Sequence, residues 1–166
     1  MLQKPIAEPT VILEKVRQWC ASSERCTREV ERKLLQWGYP ATKTKDAIDQ
    51  LKKEGFVDDE RYARAFARGK FHNLKWGKLK IVAELKARGL TTTIIQAALE
   101  EIPEEEYRAL VEKELYKKKA SLKTSDNWSQ RAALLRFAAS RGYESTLVNR
   151  ILGASNDEEF NNLIEE

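Results

Sequence analysis

The sequence contains little of what secreted, membrane-spanning or metal-binding proteins require. It has two cysteines, Cys20 and Cys26, and one histidine, His72, which are too few and too scattered for a four-ligand zinc site. No apolar run approaches the ~18 residues of a membrane span, and residues 1–10 lack the apolar block of a secretory signal. We therefore expect a cytoplasmic protein without a metal or other cofactor, in which both cysteines are unpaired and buried.

The alternation of apolar and polar residues that is typical of β-strands is also missing, and apolar residues recur instead with helical spacing. Ile12, Val16 and Trp19 lie at positions i, i+4 and i+7, and similar stripes follow along the chain. Together with capping and stop signals, these stripes predict an all-α fold. The nine predicted helices cover residues 11–22, 26–37, 43–54, 58–72, 75–88, 91–101, 103–122, 126–141 and 144–153.

Three glycines reveal an internal repeat. Gly38, Gly89 and Gly142 are 51 and 53 residues apart, and each follows a predicted helix with an apolar residue eight positions upstream. Periods of this size are typical of tandem helical units that bury their apolar faces against their neighbours. We expect an elongated, solenoid-like array of three three-helix repeats between two tails. The predicted segments are an N-terminal tail at 1–10, repeats at 11–55, 56–102 and 103–153, and an acidic C-terminal tail at 154–166.

Charge is distributed unevenly along the chain, whose formal net charge is +4. Residues 61–88 contain nine lysines and arginines against the single acid Glu84, whereas residues 154–166 contain five acids and no base. A basic segment of this kind indicates an anionic partner, either nucleic acid or an acidic protein surface.

The basic segment begins with three arginines that share one face of a predicted helix. Arg61, Arg64 and Arg68 lie within about 60° of one another when each residue advances the helix by 100°, and guanidinium groups suit phosphates and carboxylates. The alternative is a solvated face, in which the acids at 58–60 cap the helix and pair with Arg64. The candidate partner-binding residues are Arg61, Arg64, Arg68, Lys70, Lys75, Trp76, Lys78 and Lys80.

The remaining aromatic and basic residues fit ordinary structural roles better than binding. Trp19 and Trp37 fall on apolar stripes and are expected in the core, so Trp76 is the only aromatic residue for which exposure is expected. The lysine run at 117–119 cannot point in one direction and is interpreted as solvated surface. His72 has no placed partner for acid–base chemistry, and no nucleophile motif or phosphate-binding glycine loop is present. The sequence therefore predicts a protein that is not an enzyme.

Two segments carry a resemblance to a known family. Residues 56–66, FVDDERYARAF, and residues 80–90, KIVAELKARGL, resemble the central repeat of the RecX regulatory family. The flanking repeats match it more loosely, from Val30 to Gly38 and from Leu134 to Tyr143. The resemblance implies a non-enzymatic helical-repeat protein that binds the RecA filament in its groove and suppresses its activities in DNA recombination, DNA repair and the SOS response.

Three functional hypotheses follow from the sequence. The first is a monomeric regulator, mainly an inhibitor, that binds the RecA–DNA filament and contacts nucleic acid directly if its basic face reaches the phosphates. The second is a DNA-binding protein of the helix-turn-helix type, because three-helix units of this size also enter the major groove. The third is a helical scaffold for an unrelated protein partner.

Overall fold

The computed structural model describes residues 7–154, and within that range it contains helices and no strand. The nine predicted helices are confirmed. They are α1 (Pro9–Ser22), α2 (Thr27–Gln36), α3 (Thr44–Lys53), α4 (Asp59–Leu74), α5 (Lys78–Ala87), α6 (Thr92–Leu99), α7 (Glu104–Ser121), α8 (Asn127–Arg141) and α9 (Ser145–Ala154), with a 3₁₀ turn at Ala41–Lys43 before α3. In the described part of the chain no helix is long and apolar enough to span a bilayer.

The largest discrepancy with the predicted boundaries is the start of α5, which was expected at residue 75 and lies at Lys78. Lys75 has a φ of 57° and is the one left-handed residue other than glycine between residues 7 and 154. Its amide donates to the Phe71 carbonyl (3.1 Å), and the amide of Trp76 donates to the Lys70 carbonyl (3.1 Å). These bonds close the last turn of α4, so the chain needs residues 75–77 to change direction.

The three repeat glycines end their helices in the same way. Gly38, Gly89 and Gly142 have φ values of 89°, 77° and 83°, a conformation that a Cβ atom disfavours. Each glycine amide donates to the carbonyl three residues back (2.9–3.1 Å), and the next amide donates to the carbonyl five residues back (2.9–3.3 Å). The apolar residues eight positions before the glycines, Val30, Ile81 and Leu134, are all buried. The glycine period therefore marks repeated helix ends, as the sequence predicts.

Contacts divide the described chain into two compact units whose boundaries fall inside α4, inside α5 and before the last residue of α6. The first unit consists of residues 7–66 and 85–98. Its core joins the buried faces of the first three helices, where α2 packs against α1 and α3. The buried residues of this cluster are Ile12, Val16, Cys20, Val30, Leu34, Ala47, Ile48, Leu51 and Val57, and the half-buried Trp19 and Trp37 pack against them.

The second unit consists of residues 67–84 and 99–154. Here α7 packs against α8 and α9, and α8 also packs against α9. The buried side chains of these three helices and of the turn before α9 are Tyr107, Val111, Leu115, Leu134, Ala138, Tyr143, Val148 and Ile151. Both cysteines are buried and free, as expected. The acidic tail predicted at 154–166 lies outside the described residues from position 155 onward, as do residues 1–6 of the predicted N-terminal tail.

Candidate partner-binding surface

The arginine row lies on α4, whose first turn is stabilised by acids. The Asp58 carboxylate accepts a hydrogen bond from the Arg61 amide (2.9 Å) and so caps the helix. Asp59 bonds instead to the start of α2, where its carboxylate accepts from both the amide and the hydroxyl of Thr27 (2.7 Å each). The capping role predicted for these acids is therefore found in Asp58, while Asp59 ties two helices of the first unit together.

Arg61 is held inside the first unit. Its Nε donates to Glu24 (2.6 Å) and its terminal nitrogen donates to the Gly55 carbonyl (3.0 Å). The hydrogen bond with Glu24 raises the pKa of the Arg61 guanidinium further above its ordinary value. Because these partners come from α1–α2 and α3–α4 connections, Arg61 fastens the start of α4 to the rest of its unit.

The other two arginines of the row also form ion pairs with carboxylates. Arg64 donates to Glu60 one turn earlier (2.9 Å), which confirms the pairing considered from the sequence. Arg68, in the second unit, pairs with Glu101 (2.7 Å) while half of its side chain stays exposed. Exposed ion pairs of this kind contribute roughly 0–1 kcal/mol, so an anionic partner can replace the carboxylate at little cost.

Beyond the arginines, two lysines enclose Trp76 in the second unit. The Lys70 and Lys80 ammonium groups lie 4.8 and 4.6 Å from the centroid of the indole ring. Trp76 is half-buried and so are both lysines. Cations at this distance from an indole are attracted to its π face, and the ring therefore holds two positive charges close together at the surface. This lysine–tryptophan cluster brings together three of the predicted binding residues.

The turn that carries the cluster is fixed by residues from the end of α8. The Tyr143 hydroxyl donates to the Lys75 carbonyl (2.8 Å), and Arg141 donates to the Leu74 carbonyl (2.9 Å). The Lys75 ammonium itself donates to the His72 carbonyl (2.5 Å), which places it at the C-terminal end of α4 where the helix dipole favours a cation. Trp76 is thus presented by a rigid turn.

Lys78 was predicted as a binding residue, but the structure places it in the interior of the second unit. Its side chain is 14% exposed and forms an ion pair with Glu104, and its ammonium lies 4.7 Å from the centroid of the Tyr107 ring. The buried Tyr107 hydroxyl accepts from the Lys78 amide (3.1 Å) and donates to Glu144. Burial raises the pKa of Tyr107 and keeps this hydroxyl protonated. Lys78 therefore positions α5 and is not available to a partner.

The structure contradicts one prediction about the tryptophans. Trp76, for which exposure was expected, is half-buried, whereas Trp128 is 78% exposed. Trp128 lies in the first turn of α8, ahead of the buried positions Leu134 and Ala138. Apolar stripes indicate which residues are buried, and they give no information on a residue that precedes the stripe of its helix.

The residues considered for catalysis do not form a catalytic arrangement. The His72 ring is exposed and stacks edge-on against Phe71 (4.8 Å between centroids). Burial raises the pKa of the Cys20 thiol to about 11 and also raises that of Cys26, so neither is an activated nucleophile. Among residues 7–154 no group of three potential ligands could hold a metal ion.

Comparisons with known proteins agree with this architecture. A family model described as "RecX, second three-helix domain" matches residues 58–99, the segment that holds α4–α6. A crystal structure of regulatory protein RecX superposes with a TM-score of 0.79 at 16% identity, covering 87% of this chain and 71% of that one. RecX from Lactobacillus salivarius gives a TM-score of 0.78 at 15% identity, with 88% and 95% covered. At these identities the likeness shows the fold.

Similarity to curated protein sequences shows the family to which this chain belongs. The regulatory protein RecX of Pelodictyon phaeoclathratiforme is 33% identical over 136 residues, which cover 79% of this chain and 83% of the relative. The protein of the same name from Pseudomonas entomophila is 32% identical over 144 residues, covering 87% and 91%. Since the similarity extends over most of both chains and the fold agrees, the chain belongs to the RecX family of regulatory proteins.

Proposed function

We propose that this protein is a non-enzymatic regulator, mainly an inhibitor, of the RecA recombinase, and that it acts by binding the RecA–DNA filament. The observation that carries the proposal is the 33% identity to a regulatory protein RecX over 83% of that protein's length. The basic character of residues 61–88 supports it, because a filament of protein on DNA presents phosphates and acidic side chains.

The contact surface that we propose is centred on Arg68, Lys70, Trp76 and Lys80. Half of the Arg68 side chain is exposed, and its partner Glu101 can be exchanged for a carboxylate or phosphate of the filament. The lysine–tryptophan cluster adds two ammonium groups and an indole, a residue type that is enriched at the energetic centres of interfaces. Lys75 contributes at the margin, whereas Arg64 pairs with Glu60 in the first unit and Arg61 and Lys78 support the fold.

Inhibition follows if the protein binds one state of the filament more tightly than the others. A ligand shifts an equilibrium only by its difference in affinity for the two states. A chain of helical repeats that bridges successive RecA protomers would favour the inactive arrangement and oppose the changes that accompany ATP hydrolysis. We propose that the three repeats at 11–55, 56–102 and 103–153 form this chain of repeats.

The test is the ATPase rate of RecA on single-stranded DNA. The wild-type protein should lower this rate, and the charge-reversal variant Lys70→Glu/Lys80→Glu should need at least about tenfold more protein for the same effect, since each lost charged contact costs about 1.5–3 kcal/mol. The matched control is Lys15→Glu/Lys45→Glu, which reverses two exposed lysines outside the proposed surface and should inhibit like the wild type.

The outcomes distinguish a failure of the proposed function from a failure of the proposed contact surface. If the wild-type protein neither binds the filament nor changes the ATPase rate, the proposed function is wrong. If the wild type inhibits and Lys70→Glu/Lys80→Glu inhibits equally well, the proposed function stands and the contact surface lies elsewhere. A DNA-binding protein of the helix-turn-helix type would instead bind naked duplex without RecA, with an affinity that falls steeply as salt is added.

A further inference from the structure

A second surface of the molecule combines an exposed indole with a high density of positive charge. It comprises residues 117–131, from the last turns of α7 through the connection to the start of α8, and we call it the basic tip. Trp128 at its centre is 78% exposed, the largest exposure of any large hydrophobic side chain in the described structure. Leaving an indole in water is unfavourable, and tryptophan is enriched at the energetic centres of interfaces.

The charges of the basic tip are only partly neutralised within the fold, where Lys117 pairs with Glu114 (3.5 Å). The segment contains four lysines, one arginine and one acid, Asp126. Asp126 accepts the Ser129 amide (2.8 Å) as the cap of α8. Lys118, Lys123 and Arg131 form no ion pair within residues 7–154; Lys118 lies over the Phe137 ring (5.7 Å), and Arg131 bonds to the neutral Asn149 side chain. A ligand that matches this surface carries several negative charges together with apolar groups.

The chain itself contains such a ligand immediately after α9. Residues 155–166 read SNDEEFNNLIEE, with five acids and no base. Phe160, Leu163 and Ile164 are apolar residues among those acids. The negative charges of this segment are complementary to Lys118, Lys123 and Arg131, and its apolar residues are complementary to the exposed indole.

The acidic segment starts close to the basic tip. The Arg131 guanidinium donates to the Asn149 side chain of α9 (2.9 Å), and α9 ends five residues later at Ala154. Twelve residues can span up to about 40 Å when extended, which is ample to reach Trp128, one helical turn before Arg131. A tethered segment at this range has an effective concentration on the order of millimolar, so even weak attraction keeps it bound.

We propose that residues 155–166 dock on the basic tip of the same molecule, with their carboxylates on Lys118, Lys123 and Arg131 and their apolar side chains on Trp128. The docked segment covers the indole and neutralises the cations, so an anionic partner that uses this surface must first displace it. The proposal does not depend on the function proposed above, because it concerns a contact within one chain.

The experiment follows the accessibility of Trp128 to acrylamide in the full-length protein. The contribution of Trp128 is the difference in fluorescence quenching between each protein and its Trp128→Phe counterpart. Changing the five acids of residues 155–166 to their amides should increase the quenching of Trp128 by about twofold, because the segment no longer covers the ring. Phe160→Ala should act in the same direction. Salt at about 0.5 M, where the Debye length is about 4 Å, should reproduce the effect in the wild type.

The control neutralises five exposed acids elsewhere and should leave the quenching of Trp128 unchanged. These acids are Glu31, Asp46, Asp49, Glu100 and Glu105. Equal quenching of Trp128 in the wild type and in the variant with a neutral acidic segment overturns the proposal. Protection of Trp128 that rises with protein concentration also overturns it, since the segment would then dock on a second copy of the chain.

Discussion

The backbones of Gly77 and Gly142 are in direct contact in the second unit. A Cβ atom on Gly77 would lie 2.1 Å from the Gly142 carbonyl oxygen, and one on Gly142 would lie 2.4 Å from the Lys80 Cβ. The Gly77 amide donates to the Arg141 carbonyl (2.7 Å), and the Leu79 amide donates to the Gly142 carbonyl (3.0 Å). The free amides at the start of α5 thus meet the free carbonyls at the end of α8, which satisfies both helix ends.

This contact predicts opposite effects for two glycine substitutions. Gly77→Ala should lower the free energy of unfolding by roughly 3 kcal/mol or more, since a methyl group forces two backbones apart. Gly69→Ala should raise it by about 0.5–1 kcal/mol, because Gly69 lies inside α4 with nothing within 4 Å of its added Cβ. Urea denaturation followed by circular dichroism measures both. Equal stability of Gly77→Ala and the wild type would contradict the close contact.

The buried thiol of Cys20 predicts a loss of stability in alkali. Burial raises its pKa from 9.0 to about 11, so the unfolded chain loses this proton at a lower pH than the folded protein does. Stability from this group is complete below pH 9 and falls as the pH rises towards 11. At pH 10 the loss amounts to about 1.4 kcal/mol.

A substitution isolates this contribution from that of other groups. In Cys20→Ala the decrease in unfolding free energy between pH 8 and pH 10 should be smaller than in the wild type by about 1 kcal/mol. All other ionisable groups, Cys26 included, are present in both proteins, and their effects cancel in the comparison. Identical decreases in the two proteins would show that the thiol ionises as easily in the folded state as in the unfolded one.

The helices and their ends could be predicted because their signals are local. An apolar stripe such as Ile12 and Val16 can be recognised from nearby positions alone. The glycine at the end of α8 can be recognised as a helix end because it follows a run of residues with an apolar face. The Gly77–Gly142 contact left no such signal, since it joins residues of two helices that are far apart in sequence. From the sequence, Gly77 is indistinguishable from an ordinary turn residue.

The positive charge of the candidate surface could be predicted from the sequence, but most of the carboxylates that pair with it could not. The pair of Arg64 with Glu60 follows from helical spacing, whereas Glu24 and Glu101 come from other parts of the chain. In the sequence Lys78 is one more cation of a basic segment, whereas in the structure it is in contact with Glu104 and Tyr107. Sequence spacing places a charge on a helix face, but the tertiary structure decides whether that charge is already in use.

Arg61 and Arg68 share one face of α4, yet the structure assigns them different roles. Arg61 donates to one carboxylate oxygen of Glu24 and to the Gly55 carbonyl in the first unit, and the other carboxylate oxygen of Glu24 is buried without a hydrogen-bond partner. Arg61→Ala should therefore lower the free energy of unfolding by about 1 kcal/mol. Arg68, whose side chain is about as exposed as that of Arg61, pairs with Glu101 alone, so Arg68→Ala should change stability by less than about 0.5 kcal/mol.

The effects of these two substitutions on binding to the RecA filament should have the reverse order. Arg68→Ala removes a guanidinium from the proposed contact surface and should weaken binding by about tenfold, whereas Arg61→Ala should bind within about twofold of the wild type while it remains folded. Urea denaturation and a filament pull-down at fixed salt measure the two quantities on the same preparations. The crossover is specific to the proposed surface: a merely solvated row would leave binding unchanged in both variants, and a contact through the whole row would weaken it in both.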